Sequence, residues 1–225
     1  MPDFSIRSFQ KELLDQEDIP FADIAVTLDE LQFINRWLGG YNATRLGLKK
    51  LIKNKAKTLK IADVGCGGGH NLIEIHKWCL KHGITAELVG IDMKAECIAY
   101  AKEKTSHLSN IRYLTSDYRL VDEQFDIIHS CLFTHHLDDD QLSNYLDWST
   151  QNSALGVIIN DLHRHVLAYY SIKWLTAIFS RSYLVKNDAC LSVLRSFKGK
   201  EWNKHHPDAK VLWNWAFRYT TIIQT

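Results

Sequence analysis

Proline is scarce in this chain: three residues of 225, at positions 2, 20 and 207. The long stretches between them are free of its locked φ and missing N–H, and residues 21–60 read as helix. No apolar run approaches the ~18 residues needed to span a bilayer. The densest, His165 to Leu184, is broken by Lys173 and Arg181. The opening Met-Pro-Asp-Phe-Ser lacks the basic-then-apolar order of a secretory signal. No C-x-x-C pair occurs. The five cysteines are an odd number, which reads as reduced thiols of a cytoplasmic protein. Net charge is missing too. With 27 basic and 26 acidic residues, the chain has no global field to draw nucleic acid or an anionic membrane. No internal repeat or low-complexity tract is visible.

What is present is a 46% hydrophobic, 24% charged composition, average for a soluble globular protein. The length suits one large domain with an ample core. The charge is unevenly spread. Residues 61–155 carry 7 basic and 14 acidic side chains, whereas 156–225 carry 10 and 4. The middle of the chain is therefore chemically distinct from its flanks.

Leu28, Leu31, Ile34 and Leu38 recur at helical spacing until Gly39-Gly40 breaks the pattern. A second helix is expected over Thr44 to Lys57. Its Lys49, Lys50, Lys53, Lys55 and Lys57 read as a solvated face rather than a nucleic-acid patch. From Leu59 short apolar runs alternate with amphipathic helices. Strands are expected at Leu59–Val64, Ala86–Ile91, Ile111–Thr115, Phe125–Cys131 and Leu155–Asn160. Helices are expected at His70–Lys81, Lys94–Lys104 and Asp139–Thr150. That rhythm means right-handed βαβ units and a parallel sheet covered on both faces. His163–Phe179 reads as a long helix with Leu167, Tyr170, Trp174 and Ile178 on one stripe, and 181–205 as irregular or short helix. The tail alternates from Val211, either as one strand or as a hairpin turning near Ala216–Arg218. The expected fold is α/β: a Rossmann-like, doubly wound, mostly parallel seven-stranded sheet. A helical cap (1–58) precedes the core (59–161), and a helical insertion (162–205) precedes the last strands (206–225).

The strongest local signal is Ile61-Ala62-Asp63-Val64-Gly65-Cys66-Gly67-Gly68-Gly69-His70. An apolar strand ends in an acid, then alternate glycines let the backbone turn sharply and approach a ligand before a helix begins. A dinucleotide fingerprint would need its third glycine where His70 stands, which counts against an NAD-dependent oxidoreductase. A phosphate loop would need Gly-Lys-Ser/Thr, which is absent. Asp92 ends the next strand, near the ~20-residue spacing of a carboxylate that takes both hydroxyls of a ribose.

The pattern Asp63-x-Gly65-x-Gly67-x-Gly69 resembles motif I of the class I S-adenosylmethionine-dependent methyltransferases. The resemblance implies S-adenosylmethionine as cofactor, with the loop against its amino-acid part and Asp63 helping to bind its ammonium. Asp92 and Met93 would then meet the ribose. In Leu114-Thr115-Ser116-Asp117-Tyr118, Asp117 would receive the adenine amino group. Phe125 to Phe133, with Cys131, corresponds to the motif IV strand. The implied cofactor set is Asp63, Gly65, Cys66, Gly67, Gly69, Asp92, Met93, Asp117, Tyr118 and Cys131. A module that keeps this pocket without transferring a methyl group is the rival reading. Asn160 to His165, Ala168-Tyr169-Tyr170, Phe179 to Ser182, Lys186-Asn187-Asp188 and Leu31 to Gly40 look like a group of bacterial small-molecule methyltransferases. That group is often linked to polyketide, phenol or quinone pathways.

Base-amine methylation in the resembled superfamily uses [DNS]-P-P-[YFW], where this chain has Ser130-Cys131-Leu132-Phe133. No proline adjoins any cysteine, so base-carbon methylation is not indicated either, and no paired-glutamate loop for arginine methylation is found. The expected partner is a small-molecule acceptor, methylated at a hydroxyl or carbon, with no nucleic acid or membrane. Histidine has the best-matched pKa for removing an acceptor's proton. The candidates are His135 and His136 after the fourth strand, and His163 (with His165) after the fifth, where Arg164 could pair an acidic oxygen. His135, His136 and Asp138–Asp140 show no diagnostic ligand spacing, so no metal is expected, and the aspartates read as a helix cap. Tyr169, Tyr170, Trp174, Phe179 and Trp202 line either an acceptor pocket or the core, with core preferred for Trp174. Residues 1–45 and 162–205 are expected to close over the carboxyl edge of the sheet. Arg36, Trp37 and Tyr41 would stand on one side, and His163, Arg164 and Tyr169 on the other.

Overall fold

The computed structural model describes residues 2–16, 18–53 and 58–225. The recurrence of Leu28, Leu31 and Ile34 folds as α1 (Phe21–Trp37), which turns sharply into α2 (Gly40–Leu51). Gly39 makes that corner at φ +74°, and a Cβ there would overlap the Trp215 carbonyl oxygen. Both the left-handed conformation and the close approach demand glycine. The second helix ends at Leu51, short of Lys57. Lys49, Lys50 and Lys53 are exposed, as a solvated face requires, and Lys55 and Lys57 lie outside the described residues.

The βαβ rhythm gives β1 (Leu59–Val64), α3 (His70–Lys81), β2 (Ala86–Asp92), α4 (Ala95–Lys104), β3 (Ile111–Thr115), β4 (Phe125–Cys131), α5 (Asp139–Gln151) and β5 (Ser153–Leu162). These five strands are parallel. Adjacent residues along them feed opposite layers. Ile61, Leu88, Ile127 and Ile158 pack with Leu48, Leu72 and Ile75 on one face. Ala62, Val89, Ile128 and Val157 pack with Tyr145, Leu146 and Trp202 on the other. Such two-sided burial is why the strands read as continuous apolar runs. Asp138 caps α5, accepting the Gln141 N–H at 2.8 Å while Gln141 returns a bond to the Asp138 N–H.

After β5 come α6 (Val166–Phe179), α7 (Tyr183–Arg195), α8 (Gly199–His205), β6 (Lys210–Asn214) and β7 (Arg218–Ile223). The stretch expected to be irregular or short helix is thus helical, one helix of 13 residues followed by one of 7. Ser182 Oγ accepts the Val185 N–H to start α7, and Leu184, Val185 and Leu191 bury its inner face. The tail is the hairpin alternative, with Phe217 at φ +56° in its turn. The sheet order is β3-β2-β1-β4-β5-β7-β6, with β7 antiparallel to both neighbours. The chain runs outward from β1 to β3, then returns to build from β4. The crevice between β1 and β4, at their carboxyl ends, is the place where such sheets bind ligands. Trp174 is a correction: it is 69% exposed, as are Leu167 and Ile178 of its stripe, and the opposite side of α6 faces inward. Among the described residues no helix is long and apolar enough to cross a membrane.

Candidate active site

The glycine loop after β1 turns at the mouth of that crevice. Gly65, Gly67 and Gly69 have φ of +68°, +48° and +74°. A Cβ on Gly65 would lie 2.5 Å from the Phe133 ring, and one on Gly69 would overlap the Tyr113 hydroxyl. At Gly67 the nearest atom would be Leu28 Cδ2 at 3.3 Å, so this glycine borders open space. Asp92, ending β2, accepts the N–H groups of Gly67 and Lys94, each at 2.9 Å. Burial raises its pKa, against the pull of those two bonds.

These groups wall a cavity of about 440 Å³. Of the residues expected at the cofactor, Gly65, Cys66, Gly67, Asp92, Met93, Asp117, Tyr118 and Cys131 line it. Asp117 is clamped by the Arg119 guanidinium, which holds its carboxyl below the usual range. Burial pushes the Cys66 thiol well up and that of Cys131 up to about 12, so both serve as apolar wall. Gly69 shapes the turn from behind. Asp63 is buried, with Oδ1 on His129 Nδ1 at 2.7 Å, and its Oδ2 has no partner. The polar chain continues through Thr44 and Asn160 to Arg218 and Asn35.

The residues fit S-adenosylmethionine on two observations. Asp63 Oδ2, buried at the end of β1 behind the cavity wall, has no donor among the described residues, a lack that a cationic group at the loop would offset. A glycine faces the cavity where any side chain would intrude.

A second cavity, of about 400 Å³, shares Leu14, Leu31, Leu132 and His136 with the first. Leu132, just past β4, holds φ +54°, unusual for a branched side chain. Ile34 of α1 and Leu38 just past it, Ala168, Ile172 and Leu175 of α6, Leu184, Val185 and Ala189 of α7, and the hairpin turn complete a mostly apolar wall. The N-terminal segment and the 162–205 insertion therefore do enclose a space beside the crevice, through different residues from those expected. Arg36, Trp37, Tyr41, Tyr169, Tyr170, Trp174, Phe179 and Trp202 are all absent from either lining. Trp202 is core, packed at a tilt against Phe197, and Phe179 is 73% exposed.

The polar lining of this cavity includes Glu12, His135 and His136, with Thr27, Asp188, Ser192 and Arg218. Asp161, at the end of β5, accepts from His135 Nδ1 at 2.7 Å, the His135 N–H at 3.1 Å, Thr134 Oγ at 2.7 Å and the Leu162 N–H at 2.8 Å. Burial alone would raise its pKa, but the His135 ring and these bonds outweigh it and hold the carboxyl well below the usual range. An ionised carboxylate only accepts, so a proton of His135 sits on Nδ1, and in the neutral ring the lone pair stands on Nε2. His136 Nδ1 meets Asp15 in the same way at 2.9 Å. Asp15, despite burial, is drawn down to about 2 by His136, the Glu12 N–H and Arg195. Burial pushes Glu12 up to about 7, against His136 and a bond from Ser192.

Two candidates stand elsewhere. Arg164 is buried and bonded to Glu201 and to the backbone carbonyls of Ser196, Phe4 and Ser5, so it ties α8 to the N-terminal segment. It lines neither cavity. His163 packs against Tyr219 and also lines neither. Burial, His165, Lys198 and Arg164 push its pKa down to about 4. Glu12, Asp15 and Arg195 were not anticipated. Glu12 lies in a segment without periodicity, and only the fold brings it to His135.

An open parallel sheet with a glycine-rich turn and an acid at the end of β2 defines a Rossmann-like nucleotide-cofactor domain. Residues 61–150 match the family model of a methyltransferase domain. Residues 61–150 are thus a methyltransferase domain of the S-adenosylmethionine-dependent kind, with S-adenosylmethionine as methyl donor. Among solved structures it is similar to a SAM-dependent methyltransferase from Aquifex aeolicus. That pair has 16% identity and a TM-score of 0.61, covering 92% of this chain and 99% of that one. It is similar also to the plantazolicin methyltransferase BpumL in complex with SAH, at 18% identity, TM-score 0.60, and 84% and 72% coverage. The CMeT domain of the citrinin polyketide synthase aligns at 14% identity, TM-score 0.55, and 78% and 48% coverage. Among curated proteins no sequence matches.

Proposed function

We propose that this enzyme methylates a hydroxyl oxygen of an apolar small molecule of the aromatic, polyketide or quinone kind. The observation that carries the reading is the second cavity. Its walls are mostly apolar, its polar lining includes Glu12, His135, His136, Asp188 and Arg218, and it adjoins the cofactor cavity through the shared His136. Such a shape takes up an apolar body and orients one polar atom. The bound cofactor supplies a methyl carbon activated by a sulfonium. The chain's own part is to align the acceptor oxygen and to favour the form that has lost its proton. His135 and His136, each fixed at Nδ1 by a carboxylate, present Nε2 to that oxygen. α1, α6 and α7 exclude water around it. Five free cysteines, four of them buried, agree with a cytoplasmic location.

The test is a screen with methyl-labelled S-adenosylmethionine against phenols, hydroxyquinones and matched amines. Label should enter the hydroxylated compounds. Ile172→Trp, which fills the apolar cavity from α6, should abolish transfer while leaving cofactor affinity unchanged. Transfer to amines alone, or full activity in Ile172→Trp, would refute the assignment.

A further inference from the structure

We propose that Glu12, His135 and His136 form a binding site for one divalent transition-metal ion of the zinc class, on the floor of the acceptor cavity. The expectation of no metal rested on His135, His136 and the aspartates that follow them. The fold replaces those aspartates with a glutamate more than 120 residues away.

Geometry comes first. The three side chains each bring one ligand atom, and these atoms all lie within 4.8 Å of one another. His135 Nε2 is 3.5 Å from Glu12 Oε1, and His136 Nε2 is 3.8 Å from Glu12 Oε2. Both separations exceed a hydrogen bond, so the atoms converge without bonding one another. Ligands held ~2.0–2.1 Å from a tetrahedral ion stand roughly 3.3 Å apart, close to what is seen.

The second argument is orientation. A metal-binding histidine characteristically donates its other ring N–H to a carboxylate, which fixes the tautomer and aims the lone pair. Here both rings do so, His135 to Asp161 at 2.7 Å and His136 to Asp15 at 2.9 Å. Two such pairs converging on a third carboxylate go beyond what one catalytic base needs.

Charge is the third. Glu12, Asp15 and Asp161 bring three carboxyl groups, with Asp188 close to Glu12; Arg195 stands 3.2 Å from Asp15 and 4.0 Å from Glu12, and Arg7 lies near Asp161. With neutral rings and ionised carboxyls the group is net negative in a largely buried place, an expensive arrangement. A divalent cation offsets that charge. Two nitrogens and one carboxylate suit zinc and its first-row neighbours rather than magnesium or calcium. All three ligands face the acceptor cavity, which leaves a coordination position toward it for an acceptor's oxygen. Two imidazolium rings would balance the charge equally well, and an experiment separates the two cases.

The ion's role toward the acceptor rests on the reading of the cavity given above. Its binding rests on the side chains alone. The full chain, stripped with a chelator, is titrated with Zn²⁺ by calorimetry and with Co²⁺ by visible absorption, with neither cofactor nor acceptor present. One ion per chain should bind, with the intense absorption of four-coordinate cobalt. Glu12→Gln and His136→Ala should each weaken it at least tenfold, and Asp15→Asn ~10–100-fold. Unchanged SAH affinity in Glu12→Gln would show that this variant is folded. Absence of binding, or equal binding in a Glu12→Gln/His135→Ala/His136→Ala variant, would overturn the site and favour the imidazolium pair. Methyl transfer that fails while cobalt binds would instead remove the function and leave the site standing.

Discussion

Gly67 and Gly69 both hold left-handed backbone, yet replacing each with alanine should fail in a different way. A Cβ in that conformation costs ~1–2 kcal/mol of folding free energy at either position. At Gly69 the added methyl group also overlaps the Tyr113 hydroxyl and sits 3.2 Å from Ala101 Cβ. Tyr113 in turn accepts a bond from Thr105. Overpacking of that kind adds ~1–3 kcal/mol, for a total of roughly 2–5 kcal/mol. At about 2–4 °C per kcal/mol for a chain of this size, Gly69→Ala should melt ~4–20 °C lower and Gly67→Ala only ~2–8 °C lower. Binding should rank the other way. The Gly67 methyl group enters the cavity, where only Leu28 lies near, so the Kd for S-adenosylhomocysteine should rise at least tenfold, about 1.4 kcal/mol. Gly69→Ala, measured below its melting temperature, should bind nearly as wild type. Thermal melting and calorimetric titration on both variants read the two effects separately. Unchanged binding in Gly67→Ala would refute the placement of the cofactor against this loop, whatever the melting data show.

Asp92→Ala should lose ~1.5–3 kcal/mol of cofactor affinity by calorimetry, the range for a hydrogen bond to a charged group, and Asp117→Ala less, since Arg119 already occupies that carboxylate. Arg164→Ala should destabilise by about 3 kcal/mol, because it leaves Glu201 and several carbonyls unpaired. A loss of turnover without a drop in melting temperature would restore the catalytic role expected of Arg164. Glu201 is raised by burial but lowered more by Arg164 and the Lys198 N–H, so its folded pKa lies below the ordinary value. Its contribution is therefore complete above about pH 4.3 and lost as pH falls through the lowered folded value. Melts from pH 6 down to 3 should show Glu201→Gln less sensitive to acid than wild type, and parallel curves would contradict this.

The sheet was legible because each of its first five strands is buried on both faces and bounded by turns. β1, β3, β4 and α3 have both bounds where the apolar pattern puts them. The cofactor end was legible for a related reason. Gly65, Gly67, Asp92 and Asp117 sit at strand ends in one continuous βαβ unit, so sequence spacing is a fair measure of spatial spacing. The acceptor end obeys no such rule. α6 is apolar on both sides, so its pattern could not tell the inward Ala168, Ile172 and Leu175 from the outward Leu167, Trp174 and Ile178. Aromatic side chains drew attention where aliphatic ones form the wall. Arg164 and His163 follow β5 as a catalytic pair might, but Arg164 turns to Glu201 and His163 packs beside Tyr219. Glu12 gave no signal at all, since its meaning comes from tertiary contact with His135.

Calorimetric titration of the purified chain with S-adenosylhomocysteine tests the central claim most directly. From Gly67 open to the cavity and Asp92 at the end of β2, with Asp63 behind them, the account predicts one saturable site per chain. Gly67→Arg should abolish that binding, and NAD should give no heat. No binding of S-adenosylhomocysteine, or binding of NAD in its place, would contradict the account.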